Sequence, residues 1–335
     1  MAEPARVAES PSLRQFTRFV RTKDGQDLAL AELMRGGQPD PSPRPTFLLV
    51  HGFAQNRRTF TLGPMPELLL ARGARVFIGE LRGHGDSRVA SDATWTMDDH
   101  LDFDAPTLIR AACETAGVER IHFVGHSMGG LLGCALLARK PAFASLTAAA
   151  TPIMLGASRP LVRLAALALG PFATFAPRPK RIPMDFFLRT LSTPLANAEA
   201  RGVVRALQRI TRLANPEMAV PDAVREILAH ADPESPAVME ELAKNAVLVR
   251  PRLCDVDLVD AVRNAECPIA AIVGSRDIFA PRAAISPLEG KGQRGPREIV
   301  EIEGATHVDA VMGHHLEATI DRLWPFWMQG EHDPS

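Results

Sequence analysis

The 335-residue chain is predicted to be an α/β protein: a mostly parallel central sheet with helices on both faces and an α-helical cap insertion. Three observations predict it. From residue 46 onward short apolar runs alternate with amphipathic stretches, and the runs before residue 151 are near-continuously apolar, as in parallel strands covered on both faces. The segment Ile121-His122-Phe123-Val124-Gly125-His126-Ser127-Met128-Gly129-Gly130 reads as one such strand turning sharply into a helix. Between residues 153 and 252 the strand signal stops, and helical spacing with proline breaks replaces it.

Residues 1–14 are rich in Pro, Ala, Glu and Ser and are expected to be poorly ordered. Residues 16–21 and 28–34 read as strands around Asp24-Gly25, a pair that favours a tight hairpin, so an antiparallel edge is expected. Next come a strand over 46–50 ending at His51-Gly52, a helix over 65–72, a strand over 74–79 and a helix over 105–116. The 121–124 strand feeds a helix with Leu131, Leu132, Ala135 and Leu136 at helical spacing, closed by Pro141. A strand over 145–150 completes the first part. After the insertion the pattern resumes with strands at 268–273 and 297–302, a helix from about residue 283, and a terminal helix over 314–327. The core therefore spans 15–152 and 253–330. The cap spans 153–252, with Val203, Leu207, Ile210 and Leu213, then Val224, Ile227 and Leu228, at helical spacing and no strand.

Composition removes several classes of function. The formal net charge is -1 and no basic run stands out, so no nucleic acid or anionic membrane surface is implied as a partner. The most apolar tract, residues 161–176, is broken by Arg163, Gly170 and Pro171 and is too short for a transmembrane segment. The four cysteines lack metal-ligand spacing, and Cys113 and Cys134 read as small apolar residues on helix faces. The chain opens with Met-Ala-Glu-Pro-Ala-Arg where an apolar signal segment would stand, so a reduced, cytoplasmic location is the expectation.

Gly125-His126-Ser127-Met128-Gly129 is a Gly-x-Ser-x-Gly turn between strand and helix, which makes Ser127 the candidate nucleophile. A serine hydroxyl needs a base to take its proton, and the base needs an acid to fix its tautomer and stabilise its charge. Asp277 and His307 each stand in a loop just after an apolar strand, Asp277 in Gly274-Ser275-Arg276-Asp277 and His307 in Gly304-Ala305-Thr306-His307. The expected oxyanion donors are the backbone N–H groups of Met128 and of Phe53, with Ala54 as the next choice. His51 is expected to support that loop by hydrogen bonds, and His126 to lie packed beside the site.

His51-Gly52, Arg82-Gly83-His84-Gly85-Asp86-Ser87, the serine turn, Gly274-x-x-Asp277 and Gly304-x-x-His307 together resemble the α/β-hydrolase superfamily, from about residue 16 to the C-terminal helix. A second, local resemblance joins Trp95-Thr96-Met97-Asp98-Asp99 and Phe103-Asp104-Ala105-Pro106 to acid lipases and polyhydroxyalkanoate synthases. The synthases carry cysteine at the nucleophile position, so Ser127 points to hydrolysis over polymerisation. Related dehalogenases and epoxide hydrolases attack with a carboxylate there. Glu80 departs from the Asp usual before Leu-Arg-Gly, while Asp98, Asp99 and Asp104 read as helix caps on a solvated face. The resemblance implies a carboxylesterase or lipase-like enzyme that forms an acyl-enzyme on a small-molecule or lipid ester, with no metal and no organic cofactor. Two alternatives stay open: a hydrolase of carbon–carbon bonds in diketones, and a ligand-binding protein on the same fold. Leu161, Leu164, Leu167, Phe172, Phe175, Phe186 and Phe187 are candidates to line an acyl pocket under the cap.

Overall fold

A computed structural model describes residues 13–36, 44–90, 92–157, 180–184, 215, 218, 226–247 and 250–332. Its strands are β1 (Leu13–Arg21), β2 (Asp27–Arg35), β3 (Thr46–Val50), β4 (Arg75–Gly79), β5 (Ile121–His126), β6 (Phe143–Ala149), β7 (Arg252–Leu253), β8 (Val256–Asp257), β9 (Ile269–Gly274) and β10 (Arg297–Ile302). β7 and β8 pair only with each other. The remaining eight form one sheet in the order β1-β2-β4-β3-β5-β6-β9-β10. From β4 to β10 every neighbouring pair is parallel, while β1 and β2 form the expected antiparallel hairpin at one edge.

Both faces of the inner sheet are covered, which explains the near-continuous apolar runs. Along β3, Leu48 and Val50 join a cluster on one face, and Phe47 and Leu49 join another on the opposite face. The first α-helices are α1 (Arg58–Thr61), α2 (Met65–Ala71), α3 (Met97–Asp99), α4 (Ala105–Ala116) and α5 (Met128–Leu136), and the first cluster takes in Leu108 and Ile109 of α4 and Leu131 and Leu132 of α5. The second takes in Met65 and Leu69 from the helix Met65–Ala71, and Leu316, Ile320 and Leu323 from the terminal helix Leu316–His332.

Departures from the sequence reading have local causes. The helix expected from about residue 283 is a 3₁₀ turn over Arg282–Leu288, because Pro287 inside it lacks the N–H that an α-helix would use. Before α4 the chain makes a short helix over Met97–Asp99, opened by a reciprocal Thr96–Asp99 cap, and a π-helical turn over His100–Asp104. Asp104 does not lie on a solvated face. It is fully buried, facing His100 Nδ1 of the same turn at 2.8 Å and accepting from Arg82 Nε at 2.8 Å, the latter a pairing between separate segments that sequence spacing cannot show. Cys134 is buried as expected but Cys113 is only half-buried; burial pushes their thiols up to about 12 and about 11, away from reactivity.

The cap helices and candidate acyl-pocket residues expected at 161–175, 186–187, 203–213 and 224 lie outside the described residues. Within the insertion, Ile182 and Glu234 form an antiparallel β-bridge where only helices were expected. Among the described residues no helix is long and apolar enough to cross a membrane.

Candidate active site

The carboxyl ends of β5, β9 and β10 deliver Ser127, Asp277 and His307 to one end of the sheet. Ser127 joins β5 to α5 with φ 53° and ψ -114°, a conformation rarely held by a residue with a side chain. Its N–H donates to the Ala149 carbonyl at 2.9 Å, and its own carbonyl accepts from Leu131 N–H at 3.1 Å, so strand and helix both hold the turn. A side chain at Gly125 would put its Cβ 2.4 Å from the Gly129 carbonyl carbon and the Gly130 nitrogen. Glycine is therefore required for helix and strand to approach this closely. Gly125→Ala is expected to cost roughly 3 kcal/mol of stability, read as a lower thermal midpoint.

Asp277 and His307 meet because their loops are in backbone contact: a Cβ at Gly274 would stand 2.4 Å from the Ala305 carbonyl oxygen. Asp277 is buried and divides its oxygens between two tasks. Oδ1 accepts the N–H groups of Phe279 at 2.8 Å and Ala280 at 3.0 Å, fixing the carboxylate. Oδ2 faces His307 Nδ1 at 2.9 Å. His307 Nε2 lies 3.0 Å from Ser127 Oγ, so with Nδ1 protonated toward Asp277 the imidazole accepts the serine hydroxyl proton. Phe279 packs its ring 5.1 Å from the imidazole.

The turn carrying His307 has further supports. Asp309 Oδ2 accepts from Thr306 N–H at 2.8 Å and Thr306 Oγ1 at 2.7 Å, and from the backbone of Asn215 at 3.0 Å. His126 is buried beside the site, its Nε2 3.2 Å from the His307 carbonyl. Burial, together with the charge that His307 can carry, pushes His126 down to about 3, so it holds that carbonyl as a neutral donor.

Met128 opens α5, where the first N–H groups of a helix have no partner in the helix. In the facing loop after β3, the two candidate donors separate. Ala54 N–H is already donated to Glu234 Oε2 at 3.1 Å, whereas Phe53 N–H has no acceptor among the described residues. Of these two N–H groups, only that of Phe53 is uncommitted among the described residues. His51 sits behind this loop, fully buried, with Nε2 accepting Leu81 N–H at 3.2 Å and Nδ1 2.9 Å from the Gly52 carbonyl.

Sequence reasoning did not find Glu234, Asp232 or Asn215. All three lie in the insertion and reach the site only through tertiary folding, and no local spacing marks them. Among the described residues no group of three His, Cys, Asp or Glu side chains is placed to hold a metal ion.

A family model described as alpha/beta hydrolase fold matches residues 45–227, more than half of the chain. The chain belongs to the α/β-hydrolase fold family. Among curated relatives, human lysosomal acid lipase/cholesteryl ester hydrolase is 27% identical over 140 residues, 38% of this chain and 35% of that protein. Fluoroacetate dehalogenase of a Burkholderia species is 36% identical over 93 residues, 27% of this chain and 28% of that protein. The matched stretch thus spans only about a third of either relative. Among solved structures, a carboxylesterase of the thaumarchaeon Nitrososphaera gargenis aligns with a TM-score of 0.61 at 18% identity, covering 94% of this chain and 99% of that one. A thermophilic esterase of Thermogutta terrifontis aligns at 0.59 and 20% identity, covering 95% and 100%. At such identities the likeness is one of fold.

Proposed function

We propose that this α/β-hydrolase is a serine hydrolase of carboxylic esters, carboxylesterase or lipase-like, working through an acyl-enzyme. The observation that carries the reading is the relay from Ser127 Oγ to His307 Nε2 at 3.0 Å and from His307 Nδ1 to Asp277 Oδ2 at 2.9 Å. In the first step Ser127 Oγ bonds to the ester carbonyl carbon as His307 Nε2 takes its proton, and Asp277 stabilises the imidazolium. The carbonyl oxygen becomes an oxyanion that accepts from the Phe53 and Met128 N–H groups, donors that need no rearrangement. Collapse breaks the carbon–oxygen bond to the alcohol, which leaves with the proton from His307. Water then repeats the sequence with His307 as base, releasing the acid and restoring Ser127.

The lipase and esterase names of the relatives favour an ester over a diketone as substrate. Ser127 in place of a carboxylate disfavours the dehalogenation named for the Burkholderia relative. A fluorophosphonate probe is expected to add once, on Ser127, as read by mass spectrometry of the digested protein. A p-nitrophenyl ester series of increasing acyl length should be turned over in preference to vinylogous diketones. Binding of esters without turnover, with no adduct on Ser127, would reject the reading.

A further inference from the structure

The loop with the Phe53 N–H is held in an unusual shape from outside itself. Ala54 has φ 54°, a left-handed conformation that residues with a Cβ hold only where their surroundings fix it. Both main-chain polar groups of Ala54 are tied to one segment of the insertion. Its N–H donates to Glu234 Oε2 at 3.1 Å, and its carbonyl accepts from Asp232 N–H at 3.0 Å. Two residues on, Asn56 Nδ2 donates to Asp232 Oδ2 and to the His230 carbonyl, both at 2.8 Å.

Glu234 is fully buried, yet its carboxylate meets four donors. Oε1 accepts from Ser235 N–H at 2.8 Å and Trp95 Nε1 at 3.2 Å, while Oε2 takes Ala54 N–H and stands 3.2 Å from His84 Nε2. Burial alone would neutralise this acid, but the His84 charge and hydrogen bond outweigh it and pull Glu234 down to about 2. The carboxylate is thus a fixed acceptor at the back of the loop. The family match ends at residue 227, before Glu234.

We propose that Glu234 is a positioning residue for catalysis: by taking the Ala54 N–H it sets the loop so that the Phe53 N–H is the donor left for the oxyanion. This rests on the serine-hydrolase reading above. Glu234 touches no reacting atom and acts through the loop.

Glu234→Gln tests the Ala54 bond, and it also removes the charge that faces His84. An amide oxygen in place of Oε1 keeps the Ser235 and Trp95 donors, and an amide nitrogen in place of Oε2 can donate to a neutral His84. That nitrogen then opposes the Ala54 N–H, donor against donor. The reverse placement would oppose two donors, Ser235 and Trp95, and is disfavoured. With p-nitrophenyl acetate, Glu234→Gln is expected to lower kcat by roughly 10²-fold, the scale of a small misplacement in a catalytic site, while KM changes by less than about threefold. A purely structural role would lower the fraction folded and leave kcat per fluorophosphonate-titrated Ser127 unchanged. Such an outcome, kcat within about twofold of the parent per titrated site, overturns the proposal. If Glu234→Gln does not fold, Glu234→Asp, which keeps a carboxylate charge opposite His84 but is one methylene too short to hold the Ala54 N–H together with its other donors, decides. A fall in kcat of roughly three- to tenfold at constant KM supports the proposal, and kcat within about twofold overturns it. Parent protein that neither hydrolyses the ester nor takes the probe at Ser127 rejects the hydrolase reading itself, which separates the two failures.

Discussion

Ser127→Ala should lower kcat by about 10⁴-fold or more while leaving the thermal midpoint within a few degrees. In the proposed mechanism Oγ is both the attacking atom and the group that His307 deprotonates across 3.0 Å, so its removal would abolish the covalent route. What remains is the contribution of the Phe53 and Met128 N–H groups and of substrate binding. Stability should change little because the turn is held by main-chain bonds, Ser127 N–H to Ala149 and Leu131 N–H to Ser127, which alanine keeps. Asp277→Asn should cost about as much, roughly 10⁴-fold, since the amide can present N–H to His307 Nδ1 and so favour the tautomer whose Nε2 donates to Ser127. The two changes together should be little worse than either alone, because the three groups act as one unit. Steady-state kinetics on a short ester, normalised to folded protein, checks all three variants. Retention of more than about a hundredth of parental kcat by Ser127→Ala would place the nucleophile elsewhere.

The fold was legible because the inner strands of the parallel set are short, mostly apolar runs, as burial on both faces requires, whereas the edge strand β10 is only partly buried and carries Arg297, Glu298 and Glu301. The elbow was legible for a related reason: the approach of β5 to α5 admits no Cβ at Gly125, so the constraint is written in the residue type itself. Ser127, Asp277 and His307 could be read as a set because each follows a parallel strand at the same end of the sheet, and strand order converts that into the 2.9 and 3.0 Å contacts among them. The same reasoning could not reach Asp104 or Glu234. Their distant partners, Arg82 for one and Ala54, His84 and Trp95 for the other, come from segments whose meeting depends on packing. A buried carboxylate looks in sequence like any exposed one. Likewise, Pro287 signalled only that the helix near residue 283 would be disturbed, not that it would tighten into a 3₁₀ turn.

Thermal stability should peak near neutral pH and fall steeply on acidification, because three histidines are held neutral in the fold. Burial pushes His51 well below its ordinary value, with the His84 charge adding to the effect. Burial and His307 take His126 down to about 3, and burial and His314 take His315 down to about 4. In the unfolded chain each binds a proton below about pH 6.5, whereas in the folded chain it does not, so stability falls with pH by up to about 1.4 kcal/mol per unit for each fully buried ring. Glu80 and Asp309, both raised by burial, offset part of this toward the acid end. His84 has the opposite sign. Burial pulls it down, but the facing Glu234 carboxylate and Asp232 outweigh burial and hold it at about 9. Its contribution is therefore complete below about pH 6.5 and is lost as pH rises toward 9. The measurement is the thermal midpoint at constant ionic strength from pH 5 to 9. In Glu234→Gln the His84 charge loses its partner, so the alkaline limb between about pH 6.5 and 9 should flatten, and the acid limb should steepen as a buried, neutral His84 joins the other three rings. A parent midpoint that holds level from pH 7 to 5 would contradict the assignment of these rings as neutral.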